Sequence, residues 1–221
     1  MKKGLTELAV VLDRSGSMHA IREDAMGGFN SFLNDQKKLD GKANFTLVLF
    51  NHEYQTPYFR LDLQKVPELT EDTYIPTGTT ALHDAVGRTI DEIGSKLDKL
   101  DEDEKPEQVI IAVLTDGLEN SSRDYSGNRI KEMISHQRDK YNWAFMFLSA
   151  SEEDATQKGS SMGIDPGMTM NYQNTGKGNR HAYSAVSKSI SAMRVNLISE
   201  EKKEMVDLKS QEEDAEQRCP I

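Results

Sequence analysis

Four short apolar runs alternate along the chain with segments whose apolar residues recur every three or four positions. The runs, at residues 8–12, 45–50, 109–114 and 143–148, have the length and composition of strands buried on both faces. The periodic segments predict amphipathic helices over residues 21–33, 82–97, 130–137 and 182–198. Alternating strands and helices predict a doubly wound α/β fold, a three-layer sandwich whose central sheet is mainly parallel.

Two further segments are predicted to complete the sheet. Residues 53–63 follow the second strand with too little room for a helix, so they predict a short antiparallel edge strand, for which Pro57 is suited. Residues 168–172 predict a final strand. We expect one domain over residues 1–198, followed by a charged helical extension or tail over residues 199–221.

Charge narrows the classes of partner. The 221 residues carry a formal net charge of −10, which argues against binding to nucleic acid or to anionic lipid and favours binding of cations. The single cysteine, Cys219, allows no disulfide within the chain and is typical of a reducing compartment. No apolar run approaches the ~20 residues of a membrane span. A cytoplasmic location is therefore the expectation.

Oxygen-bearing side chains follow the predicted strands at three places. Asp13-Arg14-Ser15-Gly16-Ser17 follows the first strand, Thr115-Asp116-Gly117 follows the strand at 109–114, and a glycine-bearing turn at residues 76–82 opens the second helix. In open α/β sheets, ligands bind outside the carboxyl ends of the strands. Carboxylate and hydroxyl oxygens suit a hard divalent cation such as Mg²⁺, with Mn²⁺ as the other choice.

These residues resemble a family motif. Asp13-x-Ser15-x-Ser17, Thr80 within Gly78-Thr79-Thr80-Ala81-Leu82, and Asp116 within Leu114-Thr115-Asp116-Gly117 are similar in order and separation to the metal-ion-dependent adhesion site of von Willebrand factor A and integrin I domains. The resemblance covers roughly residues 5–198. It implies that Ser15, Ser17 and Thr80 bind the metal directly or nearly so, with Asp13 and Asp116 behind them. The register leaves Thr79 open as an alternative to Thr80.

The resemblance also implies a function. In this family the metal keeps an open position that accepts a Glu or Asp carboxylate of a partner protein, without catalysis. We therefore expect a divalent-metal-dependent protein-binding module, an intracellular bacterial or phage-like interaction or assembly protein. Around the site we expect rim residues that include His19 and His83, with Arg14, Met18, Asn51, Tyr54 and Glu119 in the same class.

Other interpretations of the same residues stay open. Asp13 and Ser15 could satisfy turn amides, Thr80 could cap a helix, and Asp116 could form a turn with Gly117, with no shared site. A Mg²⁺-dependent phosphohydrolase would also use Asp13. Enzymes resembling haloacid dehalogenases, however, need a second acid two residues on, where this chain has Ser15.

Two motifs that suggest catalysis lack the context that catalysis needs. Gly159-Ser160-Ser161-Met162-Gly163 matches the nucleophile elbow of hydrolases, but the preceding residues predict an exposed helix over 154–162 and no strand. Residues 175–179, TGKGN, predict a polar turn before the last helix and no complete phosphate-binding loop. The five histidines have no zinc-type spacing.

Overall fold

The computed structural model describes residues 1–150, 155–173 and 175–198, with side chains up to residue 195. A six-stranded sheet carries helices on both faces. The strands are β1 Lys2–Asp13, β2 Lys42–Phe50, β3 Tyr54–Asp62, β4 Pro106–Thr115, β5 Ala144–Ser149 and β6 Thr169–Asn171. The α-helices are α1 Arg22–Lys37, α2 Leu82–Leu97, α3 Gly127–Tyr141, α4 Ala155–Ser161 and α5 Gly176–Ile198, with 3₁₀ helices at Gly16–Ile21, Leu63–Lys65 and Pro166–Met168.

The order of the strands across the sheet is β3-β2-β1-β4-β5-β6. All neighbouring pairs are parallel except β2 and β3, so the predicted doubly wound α/β sandwich with one antiparallel edge strand is confirmed. The chain leaves β1 toward one edge of the sheet and returns to β4 on its other side. The carboxyl ends of β1 and β4 therefore form the switch point at which such sheets bind ligands.

The strand β1 shows why its sequence reads as a continuous apolar run. Leu8, Val10 and Leu12 belong to the core beneath α1 and α5, whereas Ala9 and Val11 belong to the core beneath α2 and α3. Successive side chains of a strand point to opposite faces, so a strand covered on both faces needs apolar residues at every position. This burial fixes where β1 ends, and with it the position of Asp13.

The start of the last helix differs from the prediction. Residues 175–179 were expected to form a polar turn, but α5 begins at Gly176. The Thr175 hydroxyl accepts a hydrogen bond from the Gly178 N–H at 3.1 Å, and the Thr175 carbonyl accepts one from the Asn179 N–H at 2.8 Å. Thr175 therefore caps the helix, and its capping chemistry outweighs the low helix propensity of the two glycines.

The other predicted elements can be compared with the structure in the same way. The helix expected over residues 154–162 is present as α4, although Ala155 and Gly159 are buried and the helix is not wholly exposed. The predicted tail at residues 199–221, with Cys219, lies outside the described residues. Within the described ranges no helix combines the length and the apolar character needed to cross a membrane.

Candidate metal centre

Three loops meet at the carboxyl ends of β1 and β4. The first loop, residues 13–17, follows β1; the second loop, residues 76–81, precedes α2; and the third loop, residues 115–120, follows β4. The pairing of β1 with β4 ends at Leu12 and Leu114, so the last residues of the two strands, Asp13 and Thr115, lie side by side at the edge of the sheet. The sheet thus brings the first and third loops together before any side chain contributes.

Hydroxyl and carboxylate groups join the first and third loops directly. The Ser15 and Ser17 hydroxyl oxygens lie 3.1 Å apart, and the Ser17 hydroxyl donates a hydrogen bond to Asp116 Oδ1 at 2.7 Å. The Thr115 hydroxyl donates to Asp13 Oδ2 at 2.5 Å. Four of the five residues predicted to bind metal, Asp13, Ser15, Ser17 and Asp116, therefore lie in one hydrogen-bonded arrangement.

Backbone hydrogen bonds hold the second loop against the first. The Gly16 N–H donates to the Gly78 carbonyl at 3.0 Å, and the Thr77 N–H donates to the Arg14 carbonyl at 2.8 Å. Gly78 has a φ of +77°, a left-handed conformation that a residue with a Cβ adopts at a cost. Gly78 therefore allows the second loop to pack against Gly16, which lies between Ser15 and Ser17 of the first loop.

Thr80 faces the third loop. Its N–H donates to Asn120 Oδ1 at 3.0 Å, and the Asn120 N–H donates back to the Thr80 carbonyl at 3.0 Å. Thr80 is buried, whereas Thr79 is exposed. The structure thus places Thr80, and not Thr79, at the junction of the loops.

Gly117 marks the space that the loops enclose. A Cβ at this position would lie 2.7 Å from Thr80 Oγ1 and 3.4 Å from Asp13 Oδ2. Two oxygen atoms that sequence analysis assigned to the metal therefore face the same small space, which any side chain at position 117 would enter. This space and its hard oxygen donors fit a small divalent cation.

The Asp13 carboxylate carries a negative charge that a bound cation would offset. The side chain is fully buried, and burial raises the pKa of Asp13 to about 6. Hydrogen bonds from Thr115 and Ser15 act in the opposite direction, and the nearby charge of Asp116 raises the pKa further. Within the described residues no basic side chain contacts the Asp13 carboxylate, so its charge is offset only by neutral donors.

Residues outside the predicted ligand set also support the site. The Tyr74 hydroxyl, fully buried, donates to the Asp13 carbonyl at 2.6 Å, and burial raises the pKa of Tyr74, so the hydroxyl keeps its proton. Two further supporting residues are Thr115, which donates to Asp13, and Asn120, which pairs with Thr80. Both residues lie in the third loop, and Thr115 belongs to the quoted segment Leu114-Thr115-Asp116-Gly117, so their position was a usable signal. Nothing local pointed to Tyr74.

Asn51 was predicted as a rim residue, but it is fully buried and connects the loops. Its Nδ2 donates to the Thr77 carbonyl at 2.6 Å, its Oδ1 accepts from the Glu53 N–H at 2.7 Å, and its carbonyl accepts from the Ala81 N–H at 2.9 Å. Asn51 therefore positions the second loop from the end of β2.

The remaining rim residues divide into buried and accessible ones. Met18 is buried in the core beneath α1 and α5, and Arg14 is buried with its guanidinium 2.9 Å from Glu53. Tyr54 lies away from the loops, hydrogen-bonded to Glu92 of α2. His19 is exposed, and the partly exposed His83 donates its backbone N–H to Glu119 at 2.9 Å.

Glu119 also accepts hydrogen bonds from the backbone N–H groups of Ser121 and Ser122 and from the Ser122 hydroxyl. Burial opposes ionisation of its carboxyl group, but these hydrogen bonds prevail and lower the pKa of Glu119. The ionised carboxylate thus fixes the third loop to the start of α2. Glu119 therefore has a structural role at the rim of the site, where it binds backbone N–H groups and a hydroxyl.

Two other kinds of site were considered from the sequence. In the part of the chain that the structure describes, no group of three or more His, Cys, Asp or Glu side chains is arranged to hold a metal. The segment at residues 159–163 begins inside α4, with no strand before it, so it does not form a nucleophile elbow. The candidate site is therefore one built mainly from hydroxyl groups, with two acids.

Comparisons with known proteins place the fold. No family model matches the sequence, and no curated protein does. Among solved structures, the proximal thread matrix protein 1 of the mussel byssus, with a zinc-occupied MIDAS motif, is 16% identical with a TM-score of 0.57 over 86% of this chain and 46% of that chain. A von Willebrand factor type A protein from Catenulispora acidiphila is 12% identical, with a TM-score of 0.55 over 85% and 42%.

A third structure, the manganese-loaded TRAP protein of Plasmodium vivax, is 15% identical with a TM-score of 0.52 over 78% of this chain and 70% of that chain. The chain spans about half or less of the length of the first two proteins. These likenesses, together with the strand order, define the class: the chain has the fold of a von Willebrand factor A domain.

Proposed function

We propose that this protein is a divalent-metal-dependent protein-binding module. Asp13, Ser15, Ser17, Thr80 and Asp116 hold Mg²⁺ or Mn²⁺ at the carboxyl end of the sheet, and a Glu or Asp carboxylate of a partner protein completes the coordination. The observation that carries this proposal is the convergence of three separate loops on the space beside Gly117. Independent turns have no reason to bring Asp13 Oδ2 and Thr80 Oγ1 to one space and to join Ser15, Ser17 and Asp116 to it by hydrogen bonds.

The chemistry of the donors supports the metal. Hydroxyl and carboxylate oxygens are hard ligands, and the three hydroxyl ligands are neutral, so a bound ion stays electrophilic toward a further anionic group. Solved structures of the same fold carry zinc at a MIDAS motif or are loaded with manganese, which supports a divalent ion here. When bound, the ion supplies an electrophilic position that attracts an anionic group of the partner.

The placement of Asp13 favours binding over phosphate-ester hydrolysis. A nucleophilic aspartate needs an oxygen that can reach the substrate. Here Asp13 is fully buried, its Oδ1 accepts from the Ser15 N–H at 2.6 Å, and its Oδ2 accepts from the Thr115 hydroxyl. Both oxygens have structural partners, which favours a positioning role for Asp13 over nucleophilic attack.

Metal binding is tested by thermal unfolding with Mg²⁺, Mn²⁺ or EDTA. At a metal concentration of about 100 times Kd, linkage predicts about 2.7 kcal/mol of stabilisation, which is roughly 5–10 °C in Tm for a chain of this size. The double variant Ser15→Ala with Ser17→Ala should lose this response. Ser31→Ala with Ser95→Ala, which changes two exposed helical serines, is the matched control and should keep it. A normal metal response in the first variant would refute the ligand assignment.

Partner binding is tested by affinity capture with the full chain as bait, in Mg²⁺ and in EDTA. The proposal predicts a partner retained in Mg²⁺ by the natural protein and lost both in EDTA and with the Ser15→Ala, Ser17→Ala bait. Replacing the partner's contacting Glu or Asp by its amide should abolish retention. Steady hydrolysis of p-nitrophenyl phosphate in Mg²⁺, lost on Asp13→Asn, would favour the enzyme instead.

A further inference from the structure

A second cluster of charged groups lies at the opposite end of the sheet. Glu7 is on β1, six residues before Asp13 and so roughly 20 Å from the metal loops along the strand. Its side chain is fully buried. A buried carboxylate needs a cationic or hydrogen-bonding partner, and here that partner comes from the edge strand β3.

Arg60 supplies the partner from a distorted position in the edge strand. The pairing of β2 with β3 shifts register between Phe45 and Leu47, and Arg60 lies opposite this irregularity with a φ of +52°. Its N–H donates to the Thr46 hydroxyl at 3.0 Å. A non-glycine residue in the left-handed region costs energy and persists where the surrounding structure requires it.

The contacts of Arg60 fix the orientation of its guanidinium group. Its Nε lies 3.0 Å from both carboxylate oxygens of Glu7, and Asn44 Nδ2 donates to the same carboxylate at 3.0 Å. The Nε edge is thus committed to Glu7. Within the described part of the chain, neither Nη group of Arg60 has a hydrogen-bond partner. The contacts with Glu7 thus hold the Nη groups of Arg60 in one position.

Arg60 lines a cavity of about 470 Å³, within the range of small-molecule sites. Lys2 and Lys42 also line it, both exposed and neither paired with an acid among the described residues. The apolar part of the lining is formed by Leu5, Leu63 and Leu100.

Two acids line the cavity as well. Asp62 accepts a hydrogen bond from the Gln64 N–H at 3.1 Å as the cap of a 3₁₀ helix, and Glu104 is exposed. Three cations and two acids thus line the cavity; Glu7 offsets the charge of Arg60, so Lys2 and Lys42 supply the positive charge and Arg60 supplies oriented N–H donors.

We propose that this cavity binds a small organic anion through a carboxylate or phosphate group, held by the Nη groups of Arg60 and by Lys2 and Lys42. Guanidinium groups with two parallel N–H donors match the geometry of such oxyanions. The apolar lining accommodates the body of the ligand. This site is separate from the metal centre and does not depend on it.

The test uses the full chain without divalent metal, titrated with inorganic phosphate or with succinate and followed by thermal unfolding and by isothermal titration calorimetry. Sodium chloride at equal ionic strength is the reference. We expect saturable binding of at least one of the two anions, weakened about threefold to tenfold by Lys2→Gln with Lys42→Gln. Lys131→Gln with Lys177→Gln makes the same change of charge on exposed lysines elsewhere and should leave binding unchanged.

The double variant Glu7→Gln with Arg60→Met removes the oriented guanidinium without leaving a buried charge, and it should lose binding by at least about tenfold. Binding of phosphate, of succinate or of both supports the site and identifies which oxyanion it prefers. Absence of saturable binding of either anion would overturn the proposal, as would equal weakening by the two lysine pairs. The lysine variants change exposed side chains, so they test the site even if the Glu7 and Arg60 variant fails to fold.

Discussion

Glu7 and Asp13 are two fully buried carboxylates on the same strand, and their surroundings differ in one respect. Burial raises the pKa of both groups. Glu7 is matched by the guanidinium of Arg60, so the chain itself supplies the compensating charge. Asp13 is matched by hydroxyl and amide donors, and the charge of another acid, Asp116, raises its pKa further.

This difference indicates what each end of the sheet is built for. Leaving a buried carboxylate without a counter-charge is costly, and natural proteins pair such groups or bind metals with them. At the amino end, the pair is complete and its cation lines a cavity. At the carboxyl end, the chain supplies neutral donors and a second acid, and we propose that a divalent ion supplies the compensating charge.

The largest expected effect comes from breaking the Glu7 pair. Arg60→Met leaves the Glu7 carboxylate buried without a cation and should lower the free energy of unfolding by about 3–5 kcal/mol in urea denaturation. Glu7→Gln combined with Arg60→Met should recover most of that loss. Additive effects of the two single substitutions would show that the groups do not act as a pair.

A smaller effect is expected from closing the space between the metal loops. Gly117→Ala places a Cβ 2.7 Å from Thr80 Oγ1, which should cost about 1–3 kcal/mol without metal and weaken Mg²⁺ binding. Gly27→Ala is the control, because a Cβ on this exposed position of α1 meets nothing within 4 Å. It should keep metal binding and raise stability by up to about 1 kcal/mol. Unchanged Mg²⁺ affinity in Gly117→Ala would argue against a metal in this space.

The smallest effect on stability is expected from Asp13→Asn, which separates the charge of Asp13 from its hydrogen bonds. The Asn Oδ1 can accept from the Ser15 N–H, and its Nδ2 can donate to the Thr115 hydroxyl after that hydroxyl rotates. Stability without metal should therefore change by no more than about 1 kcal/mol. The Mg²⁺-dependent rise in Tm should nevertheless be lost.

Asp72→Asn is the control for this loss, since it makes the same change of charge at an exposed acid. It should keep the metal response. If Asp13→Asn retained the full Mg²⁺ response as well, the Asp13 carboxylate would have no part in holding the ion.

The fold was predictable because the strands are buried on both faces. Apolar residues at every position of residues 8–12 and 109–114 predicted central strands, and the ends of those strands located Asp13 and Asp116 without any knowledge of contacts. The true start of β1 at Lys2 was not predictable from local pattern. Glu7 reads as a surface residue until Arg60, 53 positions later, is known to reach it.

The candidate site was predictable as far as its motif residues, whereas their supports depend on tertiary contacts. Tyr74 lies in a polar segment with no periodicity, and only the folded chain brings its hydroxyl to the carbonyl of Asp13. Asn51 reads as an exposed residue after a strand, yet its amide joins two loops. The choice between Thr79 and Thr80 likewise needed the direction of the loop, which the pairing with Asn120 supplies.

The most direct measurement is anomalous diffraction from crystals soaked in Mn²⁺. The account predicts one anomalous peak beside Gly117, with hydroxyl oxygens of Ser15, Ser17 and Thr80 within about 2.5 Å of the ion. The peak should be absent in crystals of the Ser15→Ala, Ser17→Ala variant. Hydroxyls that hold no ion between them, or a peak only at another place on the chain, would contradict the account.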